Sequence, residues 1–188
     1  LTADGRAVLV FNGELYNYRE LRTDLRGYRF RSDCDTEVVL AAWMKWGEAC
    51  LERFLGMFAF VLWDAAAAEA VLVRDRFGVK PLYIAETGDG TLVAASEIKA
   101  LHAAGVDRRP DLTTWATFLA TGRHEVGDRT FWQGVRPLPA GSVLRWRDGS
   151  TETHRWYDLA AAVGDTDDDR PDEVVAQEWL GLALDSIN

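Results

Sequence analysis

The stretch that decides the fold reads Phe11-Asn12-Gly13-Glu14-Leu15-Tyr16-Asn17-Tyr18. It follows a short apolar run over residues 7–10, which predicts a β-strand, and it opens a polar segment. An Asn-Gly pair at the end of a strand supplies a side-chain amide and an unhindered backbone N–H, two donors suited to a developing oxyanion. The carboxylate of Glu14 beside them suits an ammonium group. The stretch therefore predicts a pocket for an amino acid with a carbonyl group that is to be attacked.

The same Asn-Gly pair has a plainer interpretation. It is the commonest two-residue hairpin turn, because both residue types tolerate positive φ. A hairpin needs a second strand directly afterwards, whereas Leu21 and Leu25 lie four residues apart among strong helix formers. We therefore expect a strand, a turn and a helix over residues 7–26.

The composition limits the classes of function. With 188 residues, of which 48% are hydrophobic, the chain is long enough for one domain with a real core and part of a second. The net charge of −9 argues against nucleic acid as a partner, because the phosphate backbone would repel such a surface. We expect no membrane partner, since no apolar run has the length needed to span a bilayer.

Cysteine and histidine usage adds two expectations. Cys34 and Cys50 form neither a disulfide framework nor a Cys-x-x-Cys pair, and no signal-peptide pattern opens the sequence. We therefore expect a cytoplasmic protein. His102, His124 and His154 have no ligand spacing with one another or with the cysteines, so we expect no metal site.

The remaining pattern predicts strands in antiparallel pairs and helices in blocks. The apolar run over residues 57–63 favours a strand buried on both faces, and Asp148-Gly149 is a strong hairpin signal. Helical spacing over residues 36–47 follows Asp35, a candidate N-cap. Further strands are predicted at 28–31, 70–74, 81–85, 91–95, 142–147 and 151–156, and further helices at 48–54, 97–104 and 111–120. This arrangement favours an α+β fold with packed sheets flanked by helices.

Composition also predicts the domain boundaries. The segment from residue 164 to 171 is acidic and contains proline, which is typical of an interdomain linker. We therefore divide the chain into a domain over residues 1–158, a linker over residues 159–171 and the start of another domain over residues 172–188. The first residue is not Met and the last residues lie inside a predicted helix, so we expect a fragment that is cut at both ends.

Motifs in order along the chain resemble the glutaminase domain of glutamine-hydrolysing asparagine synthetases. They lie at residues 11–18, 32–39, 56–60 and 74–83, the last together with 95–101. That domain is a class II glutamine amidotransferase. The resemblance implies an N-terminal-nucleophile hydrolase-like fold, an αββα sandwich of two antiparallel sheets flanked by helices. The continuation after Asn-Gly and the motif at residues 74–83 are more similar to the asparagine synthetase branch than to other class II amidotransferases.

The resemblance also implies roles for individual residues. Asn12 and Gly13 would form the oxyanion hole, through the side-chain amide and the backbone N–H, while Glu14 and Asp35 would bind the α-amino group of L-glutamine. The ammonia released would pass to the protein's own C-terminal synthetase domain, for amidation of aspartate. Residues 172–188 resemble the start of that ATP-dependent domain. This segment is expected to bind no cofactor, whereas that domain would use ATP and Mg²⁺. A homodimer is a further expectation.

One feature departs from the family pattern. The family's nucleophile is a cysteine at the N-terminus of the mature chain, whose α-amine is the natural general base, but position 1 here is Leu. Cys34 and Cys50 are internal and offer no α-amine. We therefore expect that a preceding segment carries the nucleophile and that these 188 residues alone are inactive towards glutamine.

Two alternatives to this function stay open. The chain could be a non-catalytic scaffold, as in relatives that close β-lactam or lasso-peptide rings, although the intact Asn12-Gly13-Glu14 argues against it. It could also be an interaction module that docks through its acidic surface and its tryptophans.

Asp75, Arg76 and Lys80 lie among apolar strands, and we expect them to pair with each other or with a neighbouring domain rather than to act in catalysis.

Overall fold

The computed structural model describes residues 5–123, 127–164 and 168–187. It contains two compact units, Leu1–Asp158 and Leu159–Asn188. The strands of the first unit are β1 (Ala7–Leu15), β2 (Gly56–Asp64), β3 (Glu69–Arg74), β4 (Tyr83–Glu86), β5 (Leu92–Ala95), β6 (Arg136–Pro137), β7 (Ser142–Arg147) and β8 (Ser150–Arg155). Its helices are α1 (Tyr18–Asp24), α2 (Asp35–Trp46), a 3₁₀ helix (Gly47–Arg53), α3 (Ile98–Ala103) and α4 (Leu112–Thr121). The second unit holds α5 (Leu159–Val163) and α6 (Asp172–Asp185).

The first unit is built on two antiparallel sheets. The five-stranded sheet has the order β1-β2-β3-β7-β8, and the three-stranded sheet has the order β5-β4-β6. One buried cluster joins the two sheets, with Ala59, Leu72, Leu82, Ile84, Leu138 and Leu144 as its members. The other face of the larger sheet packs on α1 and α2, and α3 packs on the smaller sheet. The predicted sandwich of two antiparallel sheets flanked by helices is confirmed.

The central strand β2 explains why the sequence folds into these layers. Phe58, Ala59 and Phe60 are all at most 2% exposed, so successive side chains of β2 are covered on both faces of the sheet. On the helix side, the ring of Trp43 from α2 meets the ring of Phe60 edge-on, with 5.8 Å between the ring centroids. The prediction of a strand buried on both faces is confirmed, and only towards its end does Trp63 become 38% exposed.

The hairpin predicted at Asp148-Gly149 is also confirmed. Strands β7 and β8 pair in antiparallel register, and Arg147 lies opposite Ser150. Asp148 and Gly149 have φ angles of 49° and 78°, the left-handed values that a tight two-residue turn requires.

The predicted order of strand, turn and helix over residues 7–26 is confirmed. Because β1 continues through Asn12 and Gly13 to Leu15, the turn lies at residues 16 and 17. One local prediction is wrong. Residues 28–31 form no strand. The carboxylate of Glu37 accepts the backbone N–H of Arg31 at 2.8 Å, so a side chain takes the hydrogen bond that a partner strand would otherwise accept. The helix predicted after residue 17 does follow β1, as α1.

The second unit is helical. Its longer helix, α6, begins directly after Pro171. Arg170 forms ion pairs with Asp168 and Glu178, so a basic residue ties the start of α6 to its second turn. Hydrogen bonding from Arg170 lowers the pKa of Asp168 to about 2. Part of the predicted linker, residues 165–167, lies outside the described residues.

Candidate functional site

The Asn12-Gly13-Glu14 segment lies in β1, at one edge of the larger sheet. Asn12 pairs with Ala59 of β2, and Glu14 pairs with Met57. Side chains alternate along a strand, so Asn12 and Glu14 project from the same face, with about 7 Å between their Cα atoms. The segment therefore presents an amide and a carboxylate side by side on a rigid element.

Gly13 is required by the close approach of β2. A Cβ atom at this position would lie 2.4 Å from the carbonyl oxygen of Met57 and 2.7 Å from the Cα of Phe58. These atoms belong to the backbone of the neighbouring strand and cannot turn aside as a flexible side chain would. Any residue with a side chain would push β1 away from β2 at the point where Asn12 and Glu14 are held.

Asp35 lies beside Glu14 because its carboxylate is bonded to the end of β1. Its Oδ2 accepts the backbone N–H of Leu15 at 3.0 Å. The predicted N-cap role of Asp35 is wrong, since Cys34 occupies the N-cap position and Asp35 is the first residue of α2. The carboxylate is thus used to join helix and strand, and this bond fixes its position next to Glu14.

The two predicted ammonium-binding residues line one depression. It has a volume of about 500 Å³ and is lined by Glu14, Leu15, Tyr16, Tyr18, Asp33, Cys34 and Asp35. Glu14 is exposed, whereas Asp35 is half-buried. Asp33 is ion-paired with Arg22 at 3.2 Å, so the negative potential of the depression comes from Glu14 and Asp35, and it suits a cationic group such as an ammonium.

Glu37 orders the loop that forms one side of this depression. Its carboxylate accepts the N–H of Arg31 at 2.8 Å, the N–H of Ser32 at 2.7 Å and the hydroxyl of Ser32 at 2.7 Å. Burial opposes ionisation of Glu37, but these hydrogen bonds outweigh it and hold the pKa below its usual value. Glu37 therefore orders, in its charged form, the loop that carries Asp33 and Cys34.

The amide of Asn12 is held by Ser96, which is not among the predicted site residues. Its Nδ2 donates a hydrogen bond to Oγ of Ser96, at 3.0 Å. Ser96 directly follows β5 of the smaller sheet, so this bond joins the two sheets at the site. Asn12 and Gly13 are not among the residues that line the depression. The only signal for Ser96 in the sequence is its place in the motif at residues 95–101.

The relation to known proteins agrees with this arrangement. A family model described as a glutamine amidotransferase domain matches residues 1–157. The chain belongs to this family. The solved structure of glutamine phosphoribosylpyrophosphate amidotransferase from Bacillus subtilis superposes with a TM-score of 0.57 at 24% identity, over 82% of this chain and 30% of that chain. At this identity the superposition supports the fold alone.

Two relatives of this amidotransferase domain carry the name asparagine synthetase (glutamine-hydrolyzing). Number 1 of Bacillus subtilis is 44% identical over 183 residues, which cover 96% of this chain and 28% of the relative. Number 2 of the same organism is 41% identical over 201 residues, which cover 100% of this chain and 26% of the relative. The chain thus spans about a quarter of the length of the curated relatives it matches.

Asp75 of the amidotransferase domain is a structural residue. It is 1% exposed, and its carboxylate accepts the backbone N–H groups of Phe58, Phe77, Val79 and Lys80 at 3.2, 3.1, 3.0 and 2.9 Å. The prediction that Asp75 pairs with its charged neighbours is therefore wrong. Its partners are backbone groups of the loop after β3 and of β2, so it closes that loop onto the central strand.

Arg76 likewise binds the backbone rather than a carboxylate. Its guanidinium donates to the carbonyl oxygen of Phe54 at 2.6 Å and to that of Glu52 at 3.1 Å. It also lies over the ring of Trp156, 5.0 Å from the ring centroid. Arg76 thereby holds the end of the 3₁₀ helix, just before β2 begins.

Two negative findings apply to the described ranges of the chain. In residues 5–123, 127–164 and 168–187, no three His, Cys, Asp or Glu side chains come together in a way that would suit a metal ion. Within the same ranges, no helix combines the length and the apolar character that a bilayer crossing needs. His124 lies outside the described residues.

Proposed function

We propose that this amidotransferase domain is the glutamine-hydrolysing part of an asparagine-synthetase-like enzyme. It takes L-glutamine, releases ammonia and supplies it to a following domain of the same protein, where aspartate is amidated with ATP and Mg²⁺. The observation that carries the proposal is the meeting of Glu14 and Asp35 in one depression, two residues along β1 from Asn12. The names of the relatives support this choice of enzyme and do not favour the scaffold alternative.

Recognition of the substrate follows from charge and length. The α-ammonium of glutamine binds between Glu14 and Asp35, because a charge-assisted hydrogen bond to a carboxylate is about twice as strong as a neutral one. The N–H of Leu15 already fixes the carboxylate of Asp35, so binding the ammonium costs little side-chain entropy at this residue. The spacing along β1 from Glu14 to Asn12 is comparable to the reach from the amino group of extended glutamine to its side-chain amide.

The chemistry is acyl transfer through a thioester. A cysteine thiolate attacks the side-chain amide carbon, a carbon–sulfur bond forms, and the carbonyl oxygen becomes an oxyanion that Asn12 and the N–H of Gly13 stabilise. The carbon–nitrogen bond then breaks, and ammonia leaves with the proton that the α-amine of the cysteine took from the thiol. Water hydrolyses the thioester, releases glutamate and returns the thiol.

The nucleophile comes from outside the 188 residues of this chain. Cys50 is buried, and burial raises the pKa of its thiol, so the reactive thiolate is disfavoured. Cys34 is exposed and lines the depression, but an internal cysteine carries no α-amine to act as its base. An N-terminal cysteine of the full-length protein meets both requirements.

The test is glutamate release by the full-length protein with its natural N-terminus. We expect Glu14→Gln to raise KM for glutamine by about 10- to 100-fold, as the loss of one charged hydrogen bond predicts. The matched control is Glu20→Gln, which removes a carboxylate from the exposed face of α1. Failure of the wild-type protein to release glutamate would refute the proposed function, and equal KM values for the two variants would refute the role of Glu14.

A further inference from the structure

We propose that Ser96 is a positioning residue for the reaction, and that it sets the direction of the Asn12 amide. This inference deepens the proposed function and rests on it. It starts from the hydrogen bond between Asn12 Nδ2 and Ser96 Oγ, 3.0 Å long and half-buried. Within the described ranges, this is the one side-chain hydrogen bond of Asn12.

The geometry of a primary amide makes this bond directional. The NH₂ group of an asparagine carries two N–H bonds in the plane of the amide. When one of them points at Ser96 Oγ, the plane of the amide is set and the other points away from the serine, free to donate to a ligand. Without an acceptor at Ser96, the torsion next to the amide has a broad energy minimum, so the donor spreads over many directions.

Ser96 is itself fixed by the smaller sheet. The preceding residue, Ala95, pairs with Tyr83 of β4, and α3 begins two residues after Ser96. The serine hydroxyl therefore approaches from a different sheet than the one that carries Asn12, which lies opposite Ala59 in β2. The amide is held between two rigid elements, as an oxyanion donor that acts without reorganisation requires.

The kinetic prediction follows from this orientation. Ser96→Ala keeps the backbone and removes only the acceptor, so glutamine still binds through Glu14 and Asp35 while the oxyanion loses an aligned donor. We expect kcat for glutamine hydrolysis by the full-length protein to fall about 10-fold, less than the 100- to 1,000-fold typical of removing a donor outright. KM stays within about 2-fold, because ground-state binding does not use the oxyanion.

Three further variants separate positioning from a merely structural bond between the sheets. Ser96→Thr keeps an acceptor and restores kcat, while Ser150→Ala, at the exposed start of β8, leaves kcat unchanged. In an Asn12→Ala background, Ser96→Ala has no further effect on kcat, because the donor that it orients is gone. A full additional 10-fold loss in that background, or an unchanged kcat for Ser96→Ala alone, would overturn the inference.

A second measurement decides the matter even if the proposed function fails. In the full-length protein with ¹⁵N-labelled asparagine, the side-chain signals of Asn12 are identified by their loss in Asn12→Ala. We expect the order parameter of that NH₂ group to drop in Ser96→Ala and to be retained in Ser96→Thr. An unchanged order parameter in Ser96→Ala refutes positioning. If the order parameter drops in Ser96→Ala but the wild-type protein has no glutaminase activity, only the proposed function is refuted.

Discussion

Replacement of Asp75 by Asn tests how the loop after β3 is held on the central strand. The carboxylate accepts four backbone N–H groups: Oδ1 takes those of Phe77 and Val79, and Oδ2 takes those of Phe58 and Lys80. An asparagine amide has the same shape but only one acceptor atom. Whichever way it lies, two of the four N–H groups then face an NH₂ group and lose their partner.

The size of the effect follows from this count. A buried donor left without a partner costs about 1–3 kcal/mol, so two of them cost about 2–6 kcal/mol, and we expect a loss of about 3 kcal/mol. That is a large share of the ~5–15 kcal/mol by which a typical domain is stable. With a urea dependence of about 2 kcal/mol per molar for a domain of this size, the unfolding midpoint moves down by about 1.5 M.

The assay is urea unfolding at neutral pH, followed by circular dichroism, with Asp24→Asn as the control. Asp24 is an exposed carboxylate at the end of α1, and we expect its replacement to change the free energy of unfolding by less than about 0.5 kcal/mol. If Asp75→Asn also stays within 0.5 kcal/mol of the wild type, in the size range typical of a neutral surface change, the proposed role of the four N–H bonds is refuted.

Three further predictions concern stability. Gly13→Ala should lower the free energy of unfolding by about 2 kcal/mol, because its Cβ would lie 2.4 Å from the carbonyl oxygen of Met57; an unchanged urea midpoint would contradict this. The pKa of Glu37 is lower in the folded protein than its usual value of 4.5. Its charge therefore stabilises the fold at pH values above 4.5, and this stabilisation is lost as the pH falls through the pKa of the folded protein. Glu37→Gln should therefore weaken the acid dependence of unfolding, and identical acid profiles would refute it. Burial opposes ionisation of Glu48, but hydrogen bonds with His154 at 2.5 Å and Arg145 at 2.8 Å lower its pKa. Glu48→Gln should therefore reduce the free energy of unfolding at neutral pH and change it little at acid pH. Urea unfolding at the two pH values checks this.

Much of the fold was predictable because its signals are local. The buried strand β2 was predicted from its uninterrupted apolar residues, and the turn at Asp148-Gly149 from residue types that accept positive φ. The continuation of β1 through Asn12-Gly13 has a non-local cause. The pair has a strong local turn preference, but pairing with β2 in register over all of β1 overrides it. Pairing with a distant strand leaves no pattern in the residues whose conformation it changes.

The candidate site was predictable only in part for the same reason. Glu14 could be selected from the residues around it, whereas its neighbour Asp35 followed only from the resemblance, since it lies on another element. Ser96 was missed, because an isolated serine 84 residues away from Asn12 carries no pattern of its own. The backbone partners of Asp75 could not be foreseen either, since a charge among apolar residues is compatible with both ion pairing and loop closure.

The central claim is that Glu14 and Asp35 recognise the ammonium of an amino acid, and calorimetric titration with two unreactive ligands tests it most directly. L-Glutamate carries the α-ammonium, and glutarate is the same diacid without it. We expect the full-length protein to bind L-glutamate at least about 10-fold more tightly than glutarate, the value of one charged hydrogen bond, and Glu14→Gln to lose most of this preference. A preference of the same size in the wild type and in Glu14→Gln, or none in the wild type, would contradict the account.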